Sequence, residues 1–253
     1  MRLSALVPTF NEEKRIEACL QSLSFCDEII LVDSHSTDRT VELARRYTDR
    51  IFVRPWSGSN DQKDFARLQA RGEWVLSVDA DEVVSEALRE ELLARLAAPN
   101  AQGYLVPIRT FYRERWVKVG GLWPGYHLRF FRRQAGRWDS AIEPHEHVTV
   151  EGAVGRLRGH LLHYSYENLQ DFLDKAHRHA QLWAKTQHRA GRRAGGFSLV
   201  ARPAFRFVRD YVFRGGFLGG SFGFFFCALQ AHYTFLKYAL LWEQGRGKLA
   251  PPG

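Results

Sequence analysis

The stretch WVLSVDADE, residues 74–82, decides the reading of this chain. Residues 74–78 have the apolar composition of a buried strand. The strand then runs into Asp79, Asp81 and Glu82, three carboxylates within four positions. Like charges so close repel, and at least one carboxyl is pushed up in pKa unless something positive sits among them. What that positive group is becomes the question the rest of the sequence has to answer.

Working outward, strand and helix signals alternate through the first hundred residues. Residues 2–7 form a short apolar run stopped by Pro8. Asn11 suits a helix cap, with Glu12 and Glu13 in the first turn and Ile16, Leu20 and Leu23 at helical spacing. EIILV at 28–32 reads as a buried strand. A helix follows from Ser36 or Thr37, carrying Val41, Leu43 and Ala44. Residues 51–53 are a third strand, 61–70 a helix, and 74–78 a fourth strand, with a further helix starting near Ser85. Alternation of this kind implies a parallel sheet with right-handed crossovers, whose ligands bind beyond the carboxyl ends of the strands. The segments after the first, second and fourth strands should then converge: Pro8 to Asn11, Asp33, and Asp79 with Asp81. Beyond residue 100 the character changes. Residues 103–110, 111–119 and 126–132 look like strands, and from Tyr166 the chain reads helical, interrupted by HRAGRRAGG at 188–196.

The chain has 253 residues with a formal net charge of +8. Residues 1–100 hold 13 Lys and Arg against 18 Asp and Glu, a net of −5, and the remainder carries a net of +13. The basic part suits an anionic membrane, an anionic substrate or nucleic acid. No recognition motif for nucleic acid is present, and the arginines cluster beside aromatic helix faces, so no nucleic-acid partner is expected. Three cysteines without a C-x-x-C pair argue against a disulfide framework or structural zinc and fit a reducing compartment. The opening MRLSALVPTFNEE is too short in apolar length and too soon acidic for a signal peptide.

An Asp-x-Asp at a strand's end suits a hard divalent cation that shares its coordination with phosphate oxygens. The alternative is that the acids only open the helix near Ser85. LVPTFNEE, IILVDSHSTDRTVELA, NDQKDFARLQARGEWVLSVDADE, GGLWPGYHLRFFRR and the pair His145-Glu146 occur in that order. Together they resemble family 2 glycosyltransferases of the GT-A fold, and most closely the lipopolysaccharide-core β-1,4-glucosyltransferase-like branch. The resemblance covers essentially the whole chain, including the tail motif HYTFLKYALLWE. It implies an α/β fold: a Rossmann-like mixed sheet with flanking helices over 1–165, with a nucleotide-sugar half at 1–100 and an acceptor half at 101–165. A helical, membrane-associating extension would follow at 166–253. It also implies that Pro8, Thr9, Asn11 and Glu12 line the nucleotide pocket, that Asp33 bonds the uracil ring, and that Lys63 lies near the base or diphosphate. Asp79 would contact the ribose, with Ala80 between it and Asp81, the ligand of a divalent metal, Mg or Mn. His35 stands where the family usually has glycine, which puts the detail of that loop in question.

Sugar transfer needs a stabilised leaving diphosphate and a base for the acceptor hydroxyl. Glu146 is the candidate base, with Asp139 and Glu143 as rivals, and His145 or His147 to orient it or touch phosphate. Trp123, Tyr126 and Trp138 are candidates to stack on a sugar, and Arg129, Arg132 and Arg133 to contact diphosphate or an anionic acceptor. Strand alternation places Arg129 and Arg133 on one face. Residues 217–242 contain one formal charge, Lys237, but Gln230, His232 and three glycines weaken a spanning reading. Arg202, Arg206, Arg209 and Arg214 beside aromatics favour a helix lying in an anionic interface, over a span or a soluble packed pair. The combined expectation is an inverting transferase moving a hexose, as glucose from a UDP-sugar, onto a glycolipid or lipid-linked saccharide such as the lipopolysaccharide inner core. It would work from the cytoplasmic face of the inner membrane. Transfer to another cell-envelope glycan, or a non-catalytic membrane scaffold of the same fold, are the alternatives.

Overall fold

The computed structural model describes residues 2–139 and 148–246. The chain divides into two compact units, the first Met1–Glu114 with Pro124–Ser165, the second Arg115–Trp123 with Tyr166–Gly253. The first opens with β1 (Leu3–Thr9), α1 (Ile16–Ser22), β2 (Glu28–Asp33), α2 (Thr40–Ala44), β3 (Ile51–Val53), α3 (Ser59–Gln69) and β4 (Trp74–Ser77). Then come β5 (Glu82–Val84), α4 (Glu86–Ala97) and β6 (Gly103–Tyr112). After the short β7 (Arg115–Trp116) of the second unit follow β8 (Gly125–Arg132), β9 (Gly136–Trp138), β10 (Val148–Val150), β11 (Val154–Arg156) and β12 (Leu161–Tyr166).

The main sheet runs in the order β3-β2-β1-β4-β8-β6-β12-β5, with β11 beside β6. The first four strands are parallel, as the alternation of strand and helix signals predicts. β8 then lies antiparallel to both β4 and β6, so the sheet is mixed. Of the parallel strands, β1, β2 and β4 are buried on both faces, which is why they read as largely apolar runs, while β3 at the edge is only partly covered. Leu3, Ala5, Val7, Trp74 and Leu76 face Ile16, Leu20, Leu43, Leu88 and Leu92 on one side. Leu6, Ile30, Val32 and Val75 face Ala66 and Ala70 of the α3 segment, with Phe131 and Trp138, on the other. Trp138 is thus a core residue rather than an open stacking platform.

Several boundaries differ from the sequence reading, each for a local reason. Pro8 does not stop β1. Pairing with β4 has already ended at Leu6, so the missing N–H costs no ladder bond there. Asn11 does not cap α1. It takes φ +54°, and its side-chain oxygen accepts from Thr37 N at 2.8 Å, tying the loop after β1 to the loop after β2. Glu12 and Glu13 precede α1 and bond the same neighbour: Glu12 N donates to Thr40 Oγ1 and Glu13 Oε2 accepts from Arg39 N. β6 continues through Tyr112 and the chain turns at Arg113, φ +56°, so residues 111–119 are not one strand: 111–112 end β6 and Arg115–Trp116 form β7. Ser85 caps α4 by accepting from Leu88 N, and Glu82 belongs to a strand, so the acids do not serve as that helix's start.

The second unit is helical: α5 (Leu169–Arg189), α6 (Gly196–Val208), a π-helical turn (Arg209–Phe213), a 3₁₀ turn (Gly216–Gly219) and α7 (Gly220–Gly245). Asn168 caps α5, and Gly191 at φ +76° opens the interruption that HRAGRRAGG announces. Trp183 of α5 meets Tyr238 of α7 at 5.3 Å, and Phe207 of α6 meets Phe224 of α7 at 5.5 Å. No single described helix is long and apolar enough to cross a membrane. The pair Gly196–Phe213 and Gly216–Gly245, bent by 71°, passes only when taken together. α6 buries none of its residues, and Phe197, Val200 and Phe205 are largely exposed. Cys19, Cys26 and Cys227 are all free thiols.

Candidate active site

The end of β4 is where the sheet brings its charges together. A backbone bond from Glu82 N to Asp79 O, 2.9 Å, closes the DADE turn, and Asp79 N donates to Glu82 Oε2 at 2.9 Å. Ala80 packs into the core. The positive groups are protein side chains. Lys63 Nζ of α3 sits 2.7 Å from Asp79 Oδ1, and Arg129 Nη2 of β8 sits 2.8 Å from Asp79 Oδ2 and 3.1 Å from Glu82 Oε1. Lys63, Arg129 and Glu82 are buried. Asp81 has a separate partner: its Oδ2 is 3.2 Å from His163 Nε2 of β12.

Arg129 reaches this cluster because β8 is bulged. Tyr104 of β6 is opposite Phe130, but Leu105 is opposite Leu128, so Arg129 is the extra residue. The bulge resets the alternation. Leu128 and Phe131, three apart, pack against the same core cluster, which a regular strand forbids. A bulge re-aims a side chain, and here it turns a guanidinium onto two carboxylates. His163 arrives by pairing: β12 is antiparallel to β5 with His163 opposite Glu82, one residue from Asp81.

The electrostatics follow from burial and contact. Burial raises the Asp79 carboxyl, but Arg129 and Lys63 overcome it and hold the pKa far below the ordinary range. Burial, then the nearby Arg129, lowers Lys63 to about 8, with Asp79 opposing. Glu82 is raised, chiefly by burial, with Arg129 opposing and Asp79 adding. Burial would lower His163, but Asp81 outweighs it and brings the imidazole to about 9. Cys19, under the turn, is raised by burial and by Glu82 and Asp81.

Other predicted site residues gather on the same sheet edge. Thr9 pairs with Asp33 at the ends of β1 and β2, and Ser34 N donates to Thr9 O. Thr9 Oγ1 is buried without a hydrogen-bond partner. Asp33 is turned onto its own loop, accepting from Ser36 N at 2.9 Å and Ser36 Oγ at 2.5 Å. His35 takes φ +62°, so the loop keeps the left-handed conformation of a glycine despite the Cβ. Pro8, Asn11 and Glu12 lie in the adjoining strand end and loop.

Two predicted arginines are elsewhere. Arg132 is opposite Trp74, at the start of β4 rather than its end; its guanidinium bonds Glu73 and lies 4.9 Å over the Trp74 ring. Arg133 Nε donates to Gly72 O at 3.0 Å at that same remote edge. The bulge also removes the regular alternation that placed Arg129 and Arg133 on one face. Tyr126 is half-exposed on β8 with Arg156 5.2 Å over its ring. Trp123 belongs to the second unit, where it meets Trp116 edge-on at 5.1 Å. Glu143, His145, Glu146 and His147 lie outside the described residues, and Asp139 directly follows β9. Sequence reading missed His163 and the partnership of Glu82 with Arg129. The only signal for His163 was one histidine in the apolar strand LLHYSY, and a lone histidine points nowhere without its strand partner.

Among the described residues no group of three or more His, Cys, Asp or Glu side chains converges on one point. Asp81 supplies one oxygen, and His163 one nitrogen once its imidazole gives up the proton it shares with Asp81. With that proton displaced, the pair fits a divalent cation that takes its remaining ligands from phosphate and water. Asp79 does not fit the same role, because both its oxygens are held by protein cations.

A mixed sheet with a parallel half, and an Asp-x-Asp turn at the end of a central strand, is an open α/β fold that binds its ligand beyond the carboxyl ends of its strands. Residues 4–151 match the sequence profile of glycosyl transferase family 2. The chain belongs to that family and is a nucleotide-sugar glycosyltransferase of GT-A fold. It is 34% identical over 256 residues to the lipopolysaccharide core biosynthesis glycosyltransferase LpsC of Rhizobium meliloti, covering 98% of this chain and 95% of that one. It is 28% identical over 254 residues to an uncharacterized glycosyltransferase of Rickettsia typhi, covering 96% and 87%. Among solved structures, S. aureus TarS 1-349 in complex with UDP-GlcNAc aligns with a TM-score of 0.52 at 18% identity, covering 100% of this chain and 93% of that one. At that identity the likeness is one of fold.

Proposed function

We propose that this protein transfers a hexose, glucose from a UDP-sugar, onto a lipid-linked saccharide of the lipopolysaccharide core type, with inversion at the anomeric carbon. The observation that carries the reading is the charged cluster on the sheet edge, Lys63, Asp79, Arg129 and Glu82 beside Asp81 and His163. It lies where open α/β sheets bind nucleotides. The full-length similarity to a lipopolysaccharide core enzyme supports the acceptor class.

The chain's own groups divide the work. Thr9, the Asp33 loop and Asp79 line the donor side. Lys63 and Arg129 fix Asp79 in one orientation and hold it ionised, so the ribose meets a preset acceptor rather than a mobile side chain. Asp81 and His163 would hold the divalent cation, which when bound supplies Lewis-acid stabilisation of the departing diphosphate. Glu146 takes the acceptor hydroxyl's proton. The enzyme works as a peripheral protein on the cytoplasmic face of the inner membrane, a reading supported by the exposed apolar residues of α6 and the arginines among them.

Thermal unfolding against a panel of nucleotide sugars, with Mn²⁺ or with chelator, tests this directly. A ligand that binds only the folded state raises the melting temperature. A metal-dependent rise with UDP-glucose is expected, and its loss in Asp81→Asn and His163→Ala. A rise that persists in chelator removes the metal, and no response to any nucleotide sugar removes the reading.

A further inference from the structure

In the second unit, three arginines converge on one carboxylate. Asp210, in the π-helical turn that continues α6, is fully buried. Arg206 Nε donates to its Oδ2, Arg209 Nε to Oδ1 at 2.8 Å, and Arg214 Nη1 to Oδ1 at 3.5 Å. The i−4 and i+4 spacing of Arg206 and Arg214, with Arg209 adjacent, brings all three to one point. One guanidinium neutralises one carboxylate, so this cluster carries a formal surplus of two positive charges. Concentrating charge of one sign in a half-covered place raises the energy of the fold, and one arginine would satisfy the aspartate.

The surplus is also presented outward. Arg206 passes its Nη2 to Gln230 Oε1 at 3.2 Å. The side chains of Arg209 and Arg214 each use one nitrogen on Asp210 and make no other hydrogen bond to the described residues, and they are 31% and 43% exposed. The neighbouring backbone is shaped around them. Gly121 takes φ +73°, and a Cβ there would lie 2.5 Å from Arg214 Cδ and Nη1. In sequence the arginines are interleaved with apolar side chains left in the open: Val212, Phe213, Phe217 and Leu218, the second and fourth 78% exposed. Two forked donors amid exposed apolar residues match a phosphate at a bilayer surface; a freely dissolved phosphate has no use for the apolar surround.

We propose that Arg209 and Arg214, held in place by Asp210, bind the phosphate group of a membrane lipid. This rests on the peripheral-membrane reading above. Co-sedimentation of the full chain tests it, using phosphatidylcholine vesicles containing either phosphatidic acid or cholesteryl hemisuccinate, matched in surface potential. The wild type is expected to bind the phosphatidic acid vesicles roughly tenfold more tightly, the effect of one good charge-assisted pairing. Arg209→Gln with Arg214→Gln is expected to bring that ratio to about one, as a loss of bulk charge would not. Arg192→Gln removes the same kind of charge elsewhere and should leave the ratio unchanged. Arg209→Gln alone, which keeps Arg206 and Arg214 on Asp210, replaces the double variant if that one melts below the assay temperature. Equal wild-type affinity for the two surfaces overturns the phosphate site and leaves the membrane reading standing. A ratio unchanged in the arginine variants overturns the assignment to these residues. Binding to neither vesicle overturns the membrane reading and the site with it.

Discussion

Replacing Arg129 with methionine keeps most of the side-chain volume and removes the charge. Glu82 is fully buried, and its Oε1 has Arg129 at 3.1 Å. Asp79 keeps Lys63 at 2.7 Å, so the variant's damage falls mainly on Glu82. Breaking a buried ion pair from one side costs about 3–5 kcal/mol, because the remaining charge stays in a poor solvent. That is a large share of a domain stability of about 5–15 kcal/mol. Glu82 can escape by taking up a proton, and its pKa is already raised by burial. A carboxyl whose folded pKa is raised contributes stability that is present below its unfolded pKa and lost as pH rises through the folded one. The deficit of Arg129→Met should therefore be small near pH 5 and grow towards pH 8. Adding Glu82→Gln removes the stranded charge and should recover most of the loss at pH 8. Urea unfolding at pH 5, 6.5 and 8 reads this, with hydrogen exchange of β4 and β8 peptides assigning the transition to the first unit. A loss below about 1 kcal/mol at pH 8, or a double variant no more stable than Arg129→Met, would refute the argument that Arg129 is there to neutralise Glu82.

Three further outcomes are expected. Glu28 accepts from Ser4 Oγ, Arg71 N and Arg50 Nη1, and these bonds depress its pKa below 4.5 against the opposing effect of burial. Its contribution should be present above about pH 4.5 and vanish as pH falls through the depressed value, so acid unfolding of Glu28→Gln should show a shallower pH dependence than wild type. Gly72→Ala would put a Cβ 2.4 Å from Ser4 Oγ, 2.8 Å from Ser4 N and 2.9 Å from Trp74 O. Two of these are backbone atoms, so a loss of about 1–3 kcal/mol in urea melts is expected, and a neutral result contradicts the packing at that edge. His35→Gly relieves a left-handed residue but frees the unfolded chain, so its melting point should move little, while His35→Val should lose more than about 1 kcal/mol.

The parallel half of the sheet was legible in the sequence because three of its strands, β1, β2 and β4, are buried on both faces. EIILV and WVLSV are unbroken apolar runs, and a composition of that kind states its own burial. The acids at the end of β4 could likewise be placed at the ligand edge by topology alone. Strand ends in the second half were harder to read. Residues 103–119 mix apolar, aromatic and charged residues on both sides of the break, and the left-handed turn at Arg113 shows where β6 stops.

What the sequence determined by itself was therefore the alternation of strand and helix, the edge of the sheet where Asp33, Asp79 and Asp81 gather, and the family. The tertiary structure decided which cation each acid meets. Lys63 is 16 positions before Asp79 in the chain, while Arg129 is 50 after it and His163 is 82 after Asp81. No periodicity links residues so far apart. Arg129 is delivered by one extra residue in β8 and His163 by the antiparallel pairing of β12 with β5. Register and bulges are properties of two strands together, fixed by how both pack, and neither strand's sequence states them alone.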